Sequence, residues 1–309
     1  MTTASTTPNS DTSNLHEVAP DDPIRERIRQ AAQNVREQTP LAQSFTNFVT
    51  INLVANAQLA AGGTAAMSFL PNDVTSLASS CGATYINVGT LLPFYRDALQ
   101  EISEHLSRHG CKWVLDPVAA GVGVARTEIL KGFKDYPPTV IRANASEALV
   151  LHDMWQLGDA AGTDEHNGPA GVEAADSVEA ADSVDAAITA ATDLAAYLAL
   201  HSPTHTGAVA VSGEVDLVTD GRLVYRLPGG SAMMTKITGA GCSLGGVTAT
   251  YLAVADPLVA SLAASMLYNV SSGAAERASH GPGSFQTAFL DALWNVTPEE
   301  IASAPLYLA

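Results

Sequence analysis

The chain is poor in cysteine and in positive charge. Its three cysteines, Cys81, Cys111 and Cys242, are an odd number in 309 residues with no C-x-x-C spacing. That argues against a disulfide framework and against a zinc site, and it suits a reducing cytoplasm. Lys and Arg total 15 against 32 Asp and Glu, a net charge of −17. Such a surface repels nucleic acid and anionic membrane, so neither is expected as a partner, and a negative ligand must be held by local groups. The opening "MTTASTTPNSDTSNLHEVAPDDP" lacks a basic region followed by an apolar one. It reads as a disordered tail, extending to residue 38, rather than a signal peptide. No long apolar run is unbroken either. Residues 247–270 are interrupted by Asp256-Pro257, which predicts two buried helices, neither long enough to span a bilayer.

What is present is a core. At 47% hydrophobic and a mean hydropathy of +0.12, the chain can bury one of its own, and residues 39–309 are read as a single domain. Short β-rich runs at "TYINVGT" (84–90), "KWVLDPV" (112–118), "TVIRAN" (139–144) and "AVAVSG" (208–213) alternate with helix-like segments such as 93–109 and 187–200. The spacing predicts an α/β fold of βαβ units around a buried, mostly parallel sheet flanked by helices. One segment departs from this pattern. Residues 158–187, "GDAAGTDEHNGPAGVEAADSVEAADSVDAA", hold eight acidic residues and no Lys or Arg, and read as a solvated acidic insertion with an internal duplication.

The strand-like runs end in polar residues or glycine: Gly89-Thr90, Asp116-Pro117, Asn144 and Ser212-Gly213-Glu214. In open parallel sheets ligands bind at the carboxyl ends of strands, so these endings should converge on one crevice. "MTKITGAGCSLGG" (233–245) supplies a second component. A Gly239-Ala240-Gly241 turn feeding a helix aims unpaired backbone N–H groups and the positive end of the helix dipole at one point, which makes an anion site without a charged side chain. The same glycines also fit close packing of a buried helix. Cys242, as a residue in isolation, reads as a small buried hydrophobe more readily than as a reactant. At a helix N-terminus, however, its thiol pKa is expected to fall. Asp116 and Glu147 suit a hard divalent cation held chiefly through its water ligands, and Arg142 suits a phosphate. Asp116 also fits a turn or N-cap, and Glu147 the third position of a capping box begun at Asn144.

Taken together and in order, these segments resemble the hydroxyethylthiazole kinase family of thiamine salvage. The resemblance is carried by "SFTNFVTINLVANAQLAAGGTAAMS" (44–68), "NVGTL" (87–91), "LDPVAAG" (115–121), "VIRANASE" (140–147), "VSGEVDLVTDG" (211–221), "MTKITGAGC" (234–242) and "GPGSF" (281–285). It implies a ribokinase-like α/β fold, a homotrimer with its active sites between subunits, and transfer of the ATP γ-phosphate to the alcohol of 4-methyl-5-(2-hydroxyethyl)thiazole. It further implies that Gly239, Ala240, Gly241 and Cys242 cradle the reacting phosphate and that Asp116 and Glu147 organise Mg²⁺. By the same resemblance Arg142, Asn144 and Ser212 contact ATP, while Asn47, Val49, Met67 and Gly239 build the thiazole pocket. The family usually reads Arg-Gly-Asn where this chain has Arg142-Ala143-Asn144, and Thr-Gly-Glu where it has Ser212-Gly213-Glu214.

Related kinases of the fold commonly carry aspartate where this chain has Cys242, so the thiol stands where a base would accept the substrate proton. Phosphoryl transfer relies mainly on positioning and charge stabilisation, which makes a weak base tolerable. Two other classes share the anion turn: another ribokinase-like enzyme, such as a different small-molecule kinase or nicotinamide-nucleotide-hydrate dehydratase, and a non-catalytic ATP-binding sensor. His105 and His109 have helical i,i+4 spacing without the glutamate of a zincin, and read as a solvated helix face. His201 and His205 share that spacing but enclose Pro203, which argues against a helix between them. Ser231 and Ser243 read as turn or capping residues.

Overall fold

The computed structural model describes residues 15–158 and 180–309. Ten strands form one sheet: β1 (His16–Glu17), β2 (Leu41–Phe45), β3 (Thr64–Met67), β4 (Ala83–Asn87), β5 (Trp113–Asp116), β6 (Val140–Asn144), β7 (Ala208–Ser212), β8 (Val215–Thr219), β9 (Val224–Pro228) and β10 (Tyr307–Leu308). Their order is β1-β10-β9-β8-β7-β6-β5-β4-β2-β3. The strands from β3 to β7 run parallel, and β8, β9, β10 and β1 continue the sheet antiparallel. The parallel part contains the four strands expected from the sequence. The antiparallel extension was not anticipated.

Eleven α-helices are described: α1 (Pro23–Gln38), α2 (Ile51–Ala60), α3 (Pro71–Ala78), α4 (Tyr95–Arg108), α5 (Val124–Gly132), α6 (Ala145–Trp155), α7 (Ala180–His201), α8 (Ala240–Leu252), α9 (Pro257–Ala278), α10 (Pro282–Asn295) and α11 (Pro298–Ala302). They cover both faces of the sheet, so successive strand residues alternate between two apolar layers. Val114, Val140 and Ala208 join the layer beneath α1, α2, α8, α9 and α10. Trp113, Leu115, Ile141 and Val209 join the layer beneath α3 to α7. Burial on both faces is why these strands read as nearly continuous apolar runs.

Three expectations change here. Residues 15–38 are not a disordered tail. Asp22 caps α1 by accepting a hydrogen bond from Ile24 N, Pro23 occupies the first turn, and Ile24, Ile28, Ala31 and Val35 are buried at helical spacing. Arg25 is itself buried, donating to the carbonyls of Val18, Ala302 and Ala304. Only residues 1–14 of the expected tail lie outside the described residues. Most of the acidic segment, 159–179, also lies outside them, and its end is helical because α7 begins at Ala180. Finally, Asp256 and Pro257 do divide the apolar stretch, with Asp256 accepting from Val259 N as the cap of α9. Yet α9, at 22 residues, is long and apolar enough to cross a membrane by length and composition. In this fold 78% of its most apolar window is buried against the sheet and neighbouring helices, the environment of a core helix.

Ile28 is fully buried, so Ile28→Ala should lower stability by about 2–5 kcal/mol, read as a fall in the denaturation midpoint. Removal of residues 1–38 should leave a chain that does not fold, because the sheet-side layer loses the helix that covers it. A folded protein beginning at residue 39 would show that α1 is dispensable.

Candidate active site

The carboxyl ends of β2, β4, β5, β6 and β7 lie side by side, and α8 begins above them. Register puts Asn87 opposite Asp116 and Asn144 opposite Ser212. The turn before α8 has the form expected. Gly239 is its N-cap at φ +91°, a left-handed conformation that disfavours a side chain, and a Cβ there would come within 2.8 Å of Thr50. Ser243 N donates to Gly239 O at 2.8 Å. The N–H groups of Ala240, Gly241 and Cys242 therefore precede the first intrahelical bond and face outward with the dipole. Gly241 is required by a side chain: a Cβ would lie 2.6 Å from Arg142 Nη1. The guanidinium thus lies directly against the anion turn.

Asp116 is the last residue of β5 and is completely buried. Its Oδ2 accepts from Tyr85 Oη at 2.8 Å and from Asn87 Nδ2 at 3.0 Å. Its Oδ1 lies 3.6 Å from Arg142 Nη1 and has no hydrogen-bond partner. Arg142 Nη2 donates to Ser212 Oγ at 2.8 Å. Glu147 completes a capping box, accepting from Asn144 N while Asn144 Oδ1 accepts from Glu147 N, and its Oε1 also accepts from Ala119 N at 3.0 Å. Burial pushes the carboxyl groups of both Asp116 and Glu147 above their ordinary pKa, against the pull of Arg142, and for Glu147 the Asp116 charge adds to the rise. Arg142 titrates above its ordinary range although burial opposes this, because Asp116 and Glu147 face it.

These residues fit a divalent cation held through water. Asp116 Oδ1 is an orphaned buried acceptor, each Glu147 oxygen accepts one backbone N–H and keeps a lone pair, and two carboxylates with raised pKa are the pair a cation relieves. Among the described residues no cluster of three or more His, Cys, Asp or Glu occurs. An ion here would therefore take most of its ligands from water and phosphate oxygens, as Mg²⁺ does.

Asn47 follows β2 and is buried. Its Nδ2 donates to Asn87 Oδ1 at 2.9 Å and approaches Cys242 Sγ at 3.7 Å. Val49 sits in the same loop, its N–H bonded to Asn47 Oδ1 and the residue 59% exposed. Met67 ends β3, whose register places it beside Ser44 of β2, half-buried against the core. The structure thus joins Asn47, Asp116, Arg142, Ser212 and the Gly239–Cys242 turn through contacts. Val49 and Met67 lie at adjoining strand ends, and Asn144 spends its amide oxygen on the cap. One expectation reverses: the Cys242 thiol is not activated by its position on α8. Burial and the Asp116 charge push it above its ordinary pKa.

Of the weaker candidates, His105 and His109 stack at 4.0 Å, Ser231 caps a 3₁₀ turn over Ala232–Lys236, and Ser243 accepts from Tyr268 Oη in the interior. Sequence reasoning passed over Tyr85, Asn87 and Asp216. Asp216, on β8, is buried and accepts from Gly213 N at 3.0 Å, which fixes the turn that follows Ser212.

Comparison with known proteins places the chain in a family. Residues 32–299 match the sequence model of the hydroxyethylthiazole kinase family. The chain is 98% identical over 309 residues, all of both chains, to a protein of Bifidobacterium animalis subsp. lactis (strain AD011) named hydroxyethylthiazole kinase. A solved structure of a hydroxyethylthiazole kinase protein from Pyrococcus horikoshii OT3 superposes with a TM-score of 0.76 at 26% identity, covering 92% of this chain and 99% of that one. A ribokinase-like superfamily protein from Enterococcus faecalis V583 shares the fold at a TM-score of 0.53 and 11% identity, covering 90% and 91%.

Burial raises the Asp216 carboxyl from its ordinary 3.8 to about 6. The folded state then binds more protons than the unfolded state between those values, so this group's contribution to stability falls as pH rises through that window. Asp216→Asn keeps the acceptor for Gly213 N and removes the charge. It should gain on the order of 2–3 kcal/mol over the parent at pH 7 and little at pH 4, measured by denaturant unfolding at both pH values. Equal differences at the two pH values would contradict it.

Proposed function

The chain belongs to the hydroxyethylthiazole kinase family, and from that premise we propose that it moves the γ-phosphate of ATP onto the alcohol of 4-methyl-5-(2-hydroxyethyl)thiazole, in thiamine salvage, at the junction of the Gly239–Cys242 turn with Asp116 and Arg142. The observation that carries this assignment of residues is the packing of the Arg142 guanidinium on Gly241. It brings a fixed positive charge and the open N–H groups of α8 to one point, in a protein whose net charge of −17 would otherwise repel ATP.

Each group has a role that follows from its position. The N–H groups of Ala240, Gly241 and Cys242 receive the oxygens of the transferring phosphoryl group, where charge is greatest. Arg142, steadied by Ser212, binds the phosphate chain. Asp116 and Glu147 would hold Mg²⁺ through its water ligands, and the ion when bound neutralises charge on the phosphates. Asn47, with Val49 and Met67 at the neighbouring strand ends, presents the thiazole alcohol beside Cys242. The alcohol oxygen bonds to γ-phosphorus as the bond to the ADP oxygen breaks, and the alcohol proton passes to Cys242 Sγ in its thiolate form, leaving the neutral thiol. Because the transition state is loose, nucleophile deprotonation is late, and the small thiolate fraction that a raised pKa leaves can serve as the acceptor. We further propose a homotrimer in which a neighbouring subunit completes the thiazole pocket. The 49% and 59% exposure of Phe48 and Val49, beside Asn47, supports it. The three free cysteines suit work in the cytoplasm.

Purified protein should phosphorylate hydroxyethylthiazole with ATP only when Mg²⁺ is supplied, and should have the mass of three chains by light scattering. Absence of product with both substrates and Mg²⁺ in excess would reject the proposed reaction. Cys242→Ser should lower kcat while nucleotide binding persists, since an alcohol is a far weaker base than a thiolate. Cys242→Asp should hold or raise kcat and move the rising limb of the pH–kcat profile to lower pH, while its charge near the phosphates raises the KM for ATP. A phosphothiol formed and consumed at a competent rate in single-turnover mass measurements would overturn direct transfer.

A further inference from the structure

We propose that Asn87 is a positioning residue of phosphoryl transfer, holding the Cys242 thiol and the Asp116 carboxylate in one array of hydrogen bonds. The inference rests on the kinase reading above and adds a residue to it. Asn87 ends β4 and is 1% exposed. Its amide makes four contacts: Oδ1 accepts from Asn47 Nδ2 and from Gly89 N, each at 2.9 Å, while Nδ2 donates to Tyr85 Oη at 2.9 Å and to Asp116 Oδ2 at 3.0 Å.

The direction of every bond in this array is set by backbone. Gly89 N–H can only donate, so the atom facing it must be Oδ1 of Asn87, and Nδ2 must then face Tyr85 and Asp116. In the same way the N–H groups of Val49 and Thr50 both donate to Asn47 Oδ1, which leaves Asn47 Nδ2 to face Asn87 and Cys242 Sγ. Two backbone turns therefore orient two amides so that they present N–H to the thiol at one end and to the carboxylate at the other.

A purely structural asparagine would need only the bond to Gly89, a local turn two residues away. Two of the other three contacts reach different elements, the loop after β2 and the end of β5, and the third returns to Tyr85 within β4. Through Asn47 they extend to the first turn of α8. Aspartate keeps the acceptors for Asn47 and Gly89 but opposes a carboxylate oxygen to Asp116, and an apolar residue takes the acceptor from Asn47 Nδ2 and Gly89 N and a donor from Asp116.

The test compares Asn87→Asp and Asn87→Ala with the parent, each also combined with Cys242→Ser. It measures kcat and KM for both substrates, thermal midpoint, nucleotide binding, and the rate at which iodoacetamide alkylates residue 242, located by mass with Cys242→Ser as the blank. Both single variants should lower kcat by roughly 10²-fold with a much smaller change in the KM for ATP. In the Cys242→Ser background the added loss should shrink to less than about tenfold, because the two residues act through one unit. Asn87→Asp should also slow alkylation of Cys242 several-fold in the absence of any substrate. A folded Asn87→Asp protein with kcat within about threefold of the parent, losses that multiply fully with Cys242→Ser, or unchanged alkylation would overturn the proposal. If the Asn87 variants do not fold, Asn47→Asp reads the same array, since it keeps the acceptor for Val49 and Thr50 and loses only the donor to Asn87 and Cys242; an unchanged kcat and alkylation rate there would also overturn it. An inactive parent would refute the kinase reading, while the alkylation arm would still judge the array.

Discussion

A carboxylate and a guanidinium, Asp116 and Arg142, are buried together at the ends of adjacent strands in a sheet that is apolar on both faces. Each charge costs several kcal/mol to remove from water. Their separation of 3.6 Å is longer than a close ion pair, so mutual attraction alone does not offset that cost. The remaining compensation comes from neutral donors and acceptors: Tyr85 and Asn87 on one side, Ser212 on the other. Buried pairs of this kind are weak contributors to stability. The arrangement is better explained by what it leaves open, a buried acceptor on Asp116 and a positive charge pressed against the turn before α8.

The same arrangement answers the electrostatic problem posed by the composition. A protein with so large an excess of carboxylates repels a nucleotide at long range, so binding depends on groups at contact distance and on water being kept out. In the proposed site Arg142 and the first turn of α8 would provide that attraction where Asp116 and Glu147 need a counter-charge as well. In that reading the phosphate joins two positive groups, the cation and the guanidinium, that would otherwise repel each other.

Much of this was legible in the sequence, and the rest failed for identifiable reasons. β4 to β7 were readable because burial on both faces makes strands apolar throughout, and their polar last residues marked the crevice. The Gly239–Cys242 turn was readable because positive φ and close approach to Arg142 admit only glycine at two positions. β8 and β9 went unread although Asp220-Gly221 between alternating residues is a hairpin signal. α1 was hidden by its polar composition, since the apolar spacing of Ile24, Ile28, Ala31 and Val35 is visible only once the cap at Asp22 is taken as a start. Cys242 was misjudged for a different reason. The helix terminus is local and predictable, but the burial and the Asp116 charge that outweigh it come from residues distant in sequence. Asn87 carries no periodic pattern at all, and its role exists only in three dimensions.

The pairing of β1 with β10 has a consequence for synthesis. His16 and Glu17 pair with Leu308 and Tyr307, and Tyr307 and Leu308 in turn pair with β9, while Arg25 is held by carbonyls at 302 and 304. A ribosome delivers the first partners of these contacts long before the second. Until almost the whole described chain has emerged, α1 has a buried arginine with no acceptors from the far segment, and β9 presents an unpaired edge. The nascent chain must therefore keep its first helix uncommitted until residues 302–308 have emerged, and the step that seals the sheet is also the one that gives Arg25 its last acceptors.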